Sequence, residues 1–274
     1  MPVIAVINRK GGSGKSTLAT HLAAYLSRRG TPVMLGDADR QQSTVPWLKR
    51  RSAHALPGLP IVGWQVDPRN TLRPPPGVTH IVLDTPGGLQ GLELARLMLY
   101  ADAVLMPVCD SAFDRESAAA TWSELRGQAR LASGRCRVAA VGMRVDGRTQ
   151  SAAVLQQWAA GQKLPYLGAL RSTQTYVRCI ESGLSMFDLP ASKAQTDVEQ
   201  WQPVLDWLQP VFDARPALLP SRAPNLAARD PKPAAALPRV VRFDATPNVL
   251  ERASDEGRFP GLRRLLSRLR QAGA

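Results

Sequence analysis

The residues able to do chemistry are concentrated in the first third of the chain. Lys10, Gly11, Gly12, Ser13, Gly14, Lys15, Ser16 and Thr17 stand in one uninterrupted run. Glycine lets backbone N–H groups approach an anion with no Cβ in the way. Lys15 is placed to reach the outer phosphates of a nucleotide, and the Ser16 hydroxyl to ligate Mg²⁺. Two further acidic sites complete the set. Asp84 closes an apolar run, the position from which a carboxylate holds Mg²⁺ through water. Asp37 and Asp39, in the segment DADRQQS, fall on the same side of an extended stretch. Asp37 suits support of a Mg²⁺-bound water or of the loop itself. Gly87 and Gly88 follow Asp84, where a loop could sense a terminal phosphate.

These residues need a scaffold that brings them together. Val3 to Ile7 is a short, β-branched apolar run, as expected of a buried parallel strand. Lys15 opens a helical pattern reaching about Arg29, whose N-terminus adds unpaired N–H groups and partial positive charge. The strict phosphate-loop pattern G-x-x-x-x-G-K-[ST] is not met, because residue 9 is arginine. Further strands are expected at 31–36, 57–64, 81–83, 101–108, 137–142 and 165–170. Helices are expected after Ser43 (carrying Trp47 and Leu48) and over about 112–132, 149–160, 173–183 and 191–213. The prolines of 67–77 forbid regular structure there. Such alternation predicts an α/β fold with right-handed crossovers and a mostly parallel β-sheet flanked by helices, of the P-loop NTPase kind. Ligands in these sheets bind beyond the C-terminal strand ends, where 10–17, 37–43 and 84–88 all fall.

The chain has 274 residues, 44% of them hydrophobic, enough to bury a sizeable core. Three regions are expected: an NTPase domain over 1–208, a Pro/Ala-rich linker over 209–239, and a basic tail over 240–274. In that tail Leu262, Leu265, Leu266 and Leu269 recur at helical spacing among Arg263, Arg264, Arg268 and Arg270. Lysine and arginine number 35 against 22 acidic residues, which points to an acidic partner: nucleic acid, anionic lipid or nucleotide. Cys109, Cys136 and Cys179 are odd in number and far apart, so neither a zinc site nor a disulfide framework is expected. Neither a signal peptide nor a membrane-spanning run is expected, and the expected location is cytoplasmic.

The run K-G-G-x-G-K-S, with its early Lys10, resembles the deviant Walker A sequence of the ParA/MinD family of ATPases. DADRQQS resembles that family's D-x-D-P-Q switch, and DAVLMPVCDSAFD, RVDGRT and ESGLSMFDLPASKA resemble later family segments. The resemblance implies ATP and Mg²⁺ as cofactors and an ATP-bound homodimer in which Lys10 reaches the partner's phosphates. It gives Asp39 the task of orienting the attacking water. It further implies non-specific binding of double-stranded DNA, a nucleoid-associated location, and a ParB-like or adaptor protein that stimulates hydrolysis. Arg171, Arg178 and Lys193 lie where small relatives carry DNA-contacting basic residues. The chain departs from the family at Arg40 and Asp110, which replace prolines, and at Met143, where an asparagine near the base is common. Two rival readings are a MinD-like membrane-cycling ATPase, suggested by the tail, and a scaffold that binds nucleotide without hydrolysis.

Overall fold

The structure is a computed structural model that describes residues 1–39, 41–65 and 74–214 and the backbone of 240–241. The expected linker over 209–239 falls outside the described residues from position 215, as does the tail apart from Val240 and Val241. Arg40 and most of the proline loop lie outside them too.

The strands are β1 (Val3–Val6), β2 (Val33–Asp37), β3 (Val62–Gln65), β4 (His80–Asp84), β5 (Ala103–Val108), β6 (Arg137–Val145), β7 (Tyr166–Arg171) and β8 (Val240–Val241). Among the described residues they form one sheet in the order β7-β6-β5-β1-β4-β2-β3-β8. All neighbours run parallel except β8, which pairs antiparallel with β3. The expected mostly parallel sheet is therefore what forms. β1 sits at its centre, hydrogen-bonded to β4 and β5. Its side chains alternate between two layers. Val3 and Ala5 join one core, and Ile4 and Val6 join the other.

The helices cover both faces. On one lie α3 (Gly91–Met98), α4 (Ala112–Arg126) and α6 (Ser151–Gly161), which bury Leu94, Trp122 and Leu155. On the other lie α1 (Lys15–Arg28), α2 (Thr44–Ser52) and α8 (Ala191–Phe212), which bury Leu22, Trp47 and Trp201. Short α5 (Ala129–Ala132), α7 (Gln174–Ser182) and a 3-10 turn at Met186–Asp188 complete the helices among the described residues.

Several expected bounds move. The single helix over 112–132 is two, separated at Gly127, where the backbone closes onto the carbonyl of Glu124. α3 has no counterpart in the sequence reading. β3 covers only the end of the 57–64 stretch, because Gly58 has φ 107 and turns the chain there. β6 runs on to Val145 beyond the expected 142. α8 ends at Phe212, one residue short of the expected 213, although Pro210 lies inside it. Leu208, Val211 and Phe212 pack into the core, and that burial outweighs the lost backbone hydrogen bond.

Gly183 fixes how α7 meets α2. It ends α7 with φ 73, and a Cβ there would stand 2.4 Å from the backbone nitrogen of Arg51. Gly183→Ala therefore combines left-handed strain with a clash against rigid backbone. We expect a loss of about 2–4 kcal/mol in urea unfolding. A loss under about 0.5 kcal/mol would mean that the two helices part easily.

Candidate phosphate-binding site

The phosphate loop leaves β1 at the sheet centre and enters α1 through Gly14, which has φ 98. A Cβ on Gly14 would stand 2.7 Å from the Met143 side chain, so Met143 packs directly against the loop. Asn8 anchors the start of the loop. Its buried amide donates to the Pro107 carbonyl at 2.7 Å and its oxygen accepts from the Lys10 N–H at 3.1 Å. Gly11 and Gly12 are exposed, Ser13 is buried, and no Ser13 hydroxyl partner exists among the described residues.

Lys15 is buried and donates to the Lys10 carbonyl at 3.1 Å. Burial pulls its pKa down, while the charges of Asp84 and Asp39 oppose the fall. Asp84 is its counterpart. β2 and β4 pair with Asp37 opposite Asp84, so two carboxylates leave the sheet side by side. Both Asp84 oxygens are buried and have no hydrogen-bond partner among the described residues. Burial pushes the Asp84 pKa up to about 7, with Asp37 and Asp39 adding to the rise and Ser16 and Lys15 opposing it. The Ser16 hydroxyl is thus near enough to favour the ionised form, without reaching hydrogen-bond geometry.

Asp37 and Asp39 divide their work. The Asp37 carboxylate accepts from the Asp39 N–H at 3.0 Å, the Thr44 N–H at 3.0 Å and the Thr44 hydroxyl at 2.6 Å. Burial still raises its pKa despite these bonds. Its oxygens are committed to folding the switch segment onto α2, so of its two expected uses the loop-supporting one fits. Asp39 is half-buried, accepts from the Gln41 N–H at 2.9 Å, and lies close enough to Lys15 to influence its charge. Thr17 contributes through its carbonyl, which accepts from the ring of buried His21 at 2.8 Å.

The donors suit a hydrated Mg²⁺ shared with a phosphate. An orphaned, ionisable Asp84 pair of oxygens faces the Ser16 hydroxyl, and hard oxygen donors are what that ion takes. Among the described residues no group of three His, Cys, Asp or Glu could hold a metal alone. Water and phosphate oxygens would complete its shell.

Lys10 does not face Lys15. Its ammonium pairs with Asp114 at 2.9 Å, at the first turn of α4. Burial opposes ionisation of Asp114, yet the Lys10 and Ser111 hydrogen bonds hold its carboxyl below the usual range. Asp114 closes the DSAFD segment, so the sequence contained it without marking a partner. Arg9, read from the sequence only as a missing glycine, pairs with Glu124 of α4. Asp110 bonds to the Ser151 hydroxyl at the start of α6.

The candidate DNA-contacting residues separate. Arg171 is held by Asp197 through two contacts at 2.6 and 3.0 Å, which neutralises it. Arg178 on α7 and Lys193 on α8 are exposed and have no carboxylate partner among the described residues. No helix among the described residues is long and apolar enough to cross a membrane.

Residues 4–186, about two-thirds of the chain, match the CobQ/CobB/MinD/ParA nucleotide binding domain. The chain is 30% identical over 191 residues to a maintenance of carboxysome distribution protein A from Halothiobacillus neapolitanus, spanning 69% of this chain and 88% of that protein. It is 45% identical over 64 residues to the chromosome-partitioning ATPase Soj of Thermus thermophilus, spanning 22% of this chain and 26% of that protein. A plasmid partition protein of Borrelia burgdorferi, solved with AMPPNP, superposes with TM-score 0.58 at 17% identity, covering 75% of this chain and 99% of that one. That likeness speaks for the fold alone.

Proposed function

The chain belongs to the CobQ/CobB/MinD/ParA nucleotide-binding family, and from that premise we propose that it is an ATPase that positions a cargo along DNA. One observation carries the reading. The ends of three adjacent strands bring Lys15, Asp39 and Asp84 around a single phosphate loop.

In this reading Lys15 neutralises the outer phosphates, and the loop amides orient them. Ser16, and Asp84 through water, hold Mg²⁺, which when bound supplies charge neutralisation on the phosphate oxygens. Asp39 orients the attacking water. Lys10 leaves Asp114 and crosses to the phosphates of a second copy, so that ATP drives a homodimer. The dimer grips double-stranded DNA without sequence choice, through exposed basic side chains such as Arg178 and Lys193. A ParB-like or adaptor protein speeds hydrolysis and release. The location is then cytoplasmic and nucleoid-associated. The cargo is a plasmid or chromosome, or a large protein body, the second reading favoured by the Halothiobacillus relative.

Asp39→Ala tests this scheme. Hydrolysis should fall by about 10- to 100-fold. ATP affinity should stay within about threefold, because Asp39 aims at water rather than at the phosphates' cationic cradle. The variant should then shift DNA in a mobility assay with ATP and not with ADP, and the shift should vanish at high salt. No ATP-dependent shift at low salt would overturn the DNA reading. Pelleting with anionic liposomes instead of DNA would favour a membrane-cycling role.

A further inference from the structure

Arg9 occupies the position where the strict motif has glycine, and it has found a use. Its guanidinium pairs with the Glu124 carboxylate on α4. The other oxygen of that carboxylate accepts from the backbone N–H of Gly91. The Arg9 carbonyl accepts from the Gly88 N–H at 2.6 Å, and the Arg9 N–H lies 3.4 Å from the Thr121 hydroxyl, one turn earlier on the same helix. The segment 85–91 follows Asp84 and carries Gly87 and Gly88 beside the phosphate loop, with Gly87 in contact range of Arg9 and Gly11. One carboxylate thus fastens the far end of this segment, while the Arg9 backbone fastens its middle. Gly91 is also the first residue of α3.

From this geometry we infer that Glu124 is a positioning residue. Together with Arg9 it sets the register of the 85–91 segment against the phosphate loop, and so governs discrimination between nucleoside triphosphate and diphosphate. The inference rests on the proposed ATPase reading. Its physical basis is that the two loops approach a terminal phosphate from different strand ends. A third phosphate can contact both only when their spacing is held. The ion pair is about one-quarter exposed on each side, at 27% and 23%, and Arg9 Nε is buried with no acceptor among the described residues. Losing the carboxylate charge therefore leaves a half-buried cation uncompensated, and the loops are free to separate.

Glu124→Gln keeps an oxygen for Gly91 and removes only the charge. We expect ADP affinity within about threefold of wild type, the ATP-over-ADP preference reduced by about tenfold, and kcat reduced by about tenfold with KM for ATP raised. Amide hydrogen exchange at Gly88 and Gly91 should quicken by about tenfold, with or without ADP. Arg9→Met should give the same pattern, and Arg9→Lys should restore most of it. The double variant Arg9→Met with Glu124→Gln should be no worse than either single one. A purely structural role would lower the melting temperature and leave the ATP-over-ADP preference intact. An unchanged preference, unchanged exchange at both glycines, or additive single effects would each overturn the inference. If the wild-type chain does not hydrolyse ATP, the functional reading fails, while the exchange rates and the binding preference still decide the role of Glu124.

Discussion

Lys15→Ala should weaken ATP binding by at least about 100-fold and abolish measurable hydrolysis. The reason lies in the charges already present. Asp37, Asp39 and Asp84 crowd one end of the sheet, and a triphosphate brings more negative charge to the same place. Lys15 is the buried cation between them. A unit charge at about 4 Å is worth roughly 4 kcal/mol at the effective dielectric of a protein surface, and a 100-fold loss corresponds to about 2.8 kcal/mol. The substitution also removes a group that favours Asp84 ionisation, so the site becomes less able to share a divalent cation. Titration with a fluorescent ATP analogue reads the effect. Affinity within threefold of wild type would mean that the phosphates lie elsewhere.

The second large effect concerns Asp84 and pH. Its pKa in the folded protein is about 7, against an ordinary value of 3.8. The folded chain therefore binds a proton that the unfolded chain has lost. Stability carried by that proton is complete below the ordinary value and is lost as pH rises toward 7. The full difference corresponds to about 4 kcal/mol at roughly 1.4 kcal/mol per pH unit. Asp37 shifts in the same direction through burial and adds to the trend. Nucleotide-free protein should thus lose a few kcal/mol of unfolding free energy between pH 5 and pH 8. Asp84→Asn should flatten that slope and be the more stable protein at pH 8, while losing Mg²⁺-dependent hydrolysis. MgATP should stabilise the wild type more at pH 8 than at pH 5, because the cation requires the ionised carboxylate. Urea titrations at three pH values test this. Parallel wild-type and variant curves would show that Asp84 is charged at little cost.

What the sequence disclosed, and what it hid, follows from distance along the chain. The phosphate loop was legible because adjacent residue types specify it: β-branched strand, glycines, lysine, hydroxyl. Asp84 was legible because the apolar strand before it fixes where it emerges. The partners of Arg9 and Lys10 were not legible, because Glu124 and Asp114 stand more than a hundred residues away and only the packing of α4 reveals them. Arg171 stood among the candidate DNA contacts, and only the fold revealed its pairing with Asp197, a residue 26 positions away. α3 escaped because Gly91–Met98 is only eight residues long, too few for a convincing period. The division of 112–132 at Gly127 was hidden by helix-forming residues on both sides.

The central place of β1 has a consequence for biosynthesis. The first strand made is hydrogen-bonded on one side to Ile81–Asp84 and on the other to Ala103–Leu105, and Asn8 reaches the Pro107 carbonyl. A ribosome that has released the chain only as far as β3 has therefore delivered the glycine loop but neither of the strands that flank it. Contacts of such long sequence separation form late and slowly. The growing polypeptide cannot capture nucleotide until well over a hundred residues have emerged, so a truncated translation product is inert rather than a competitor for ATP.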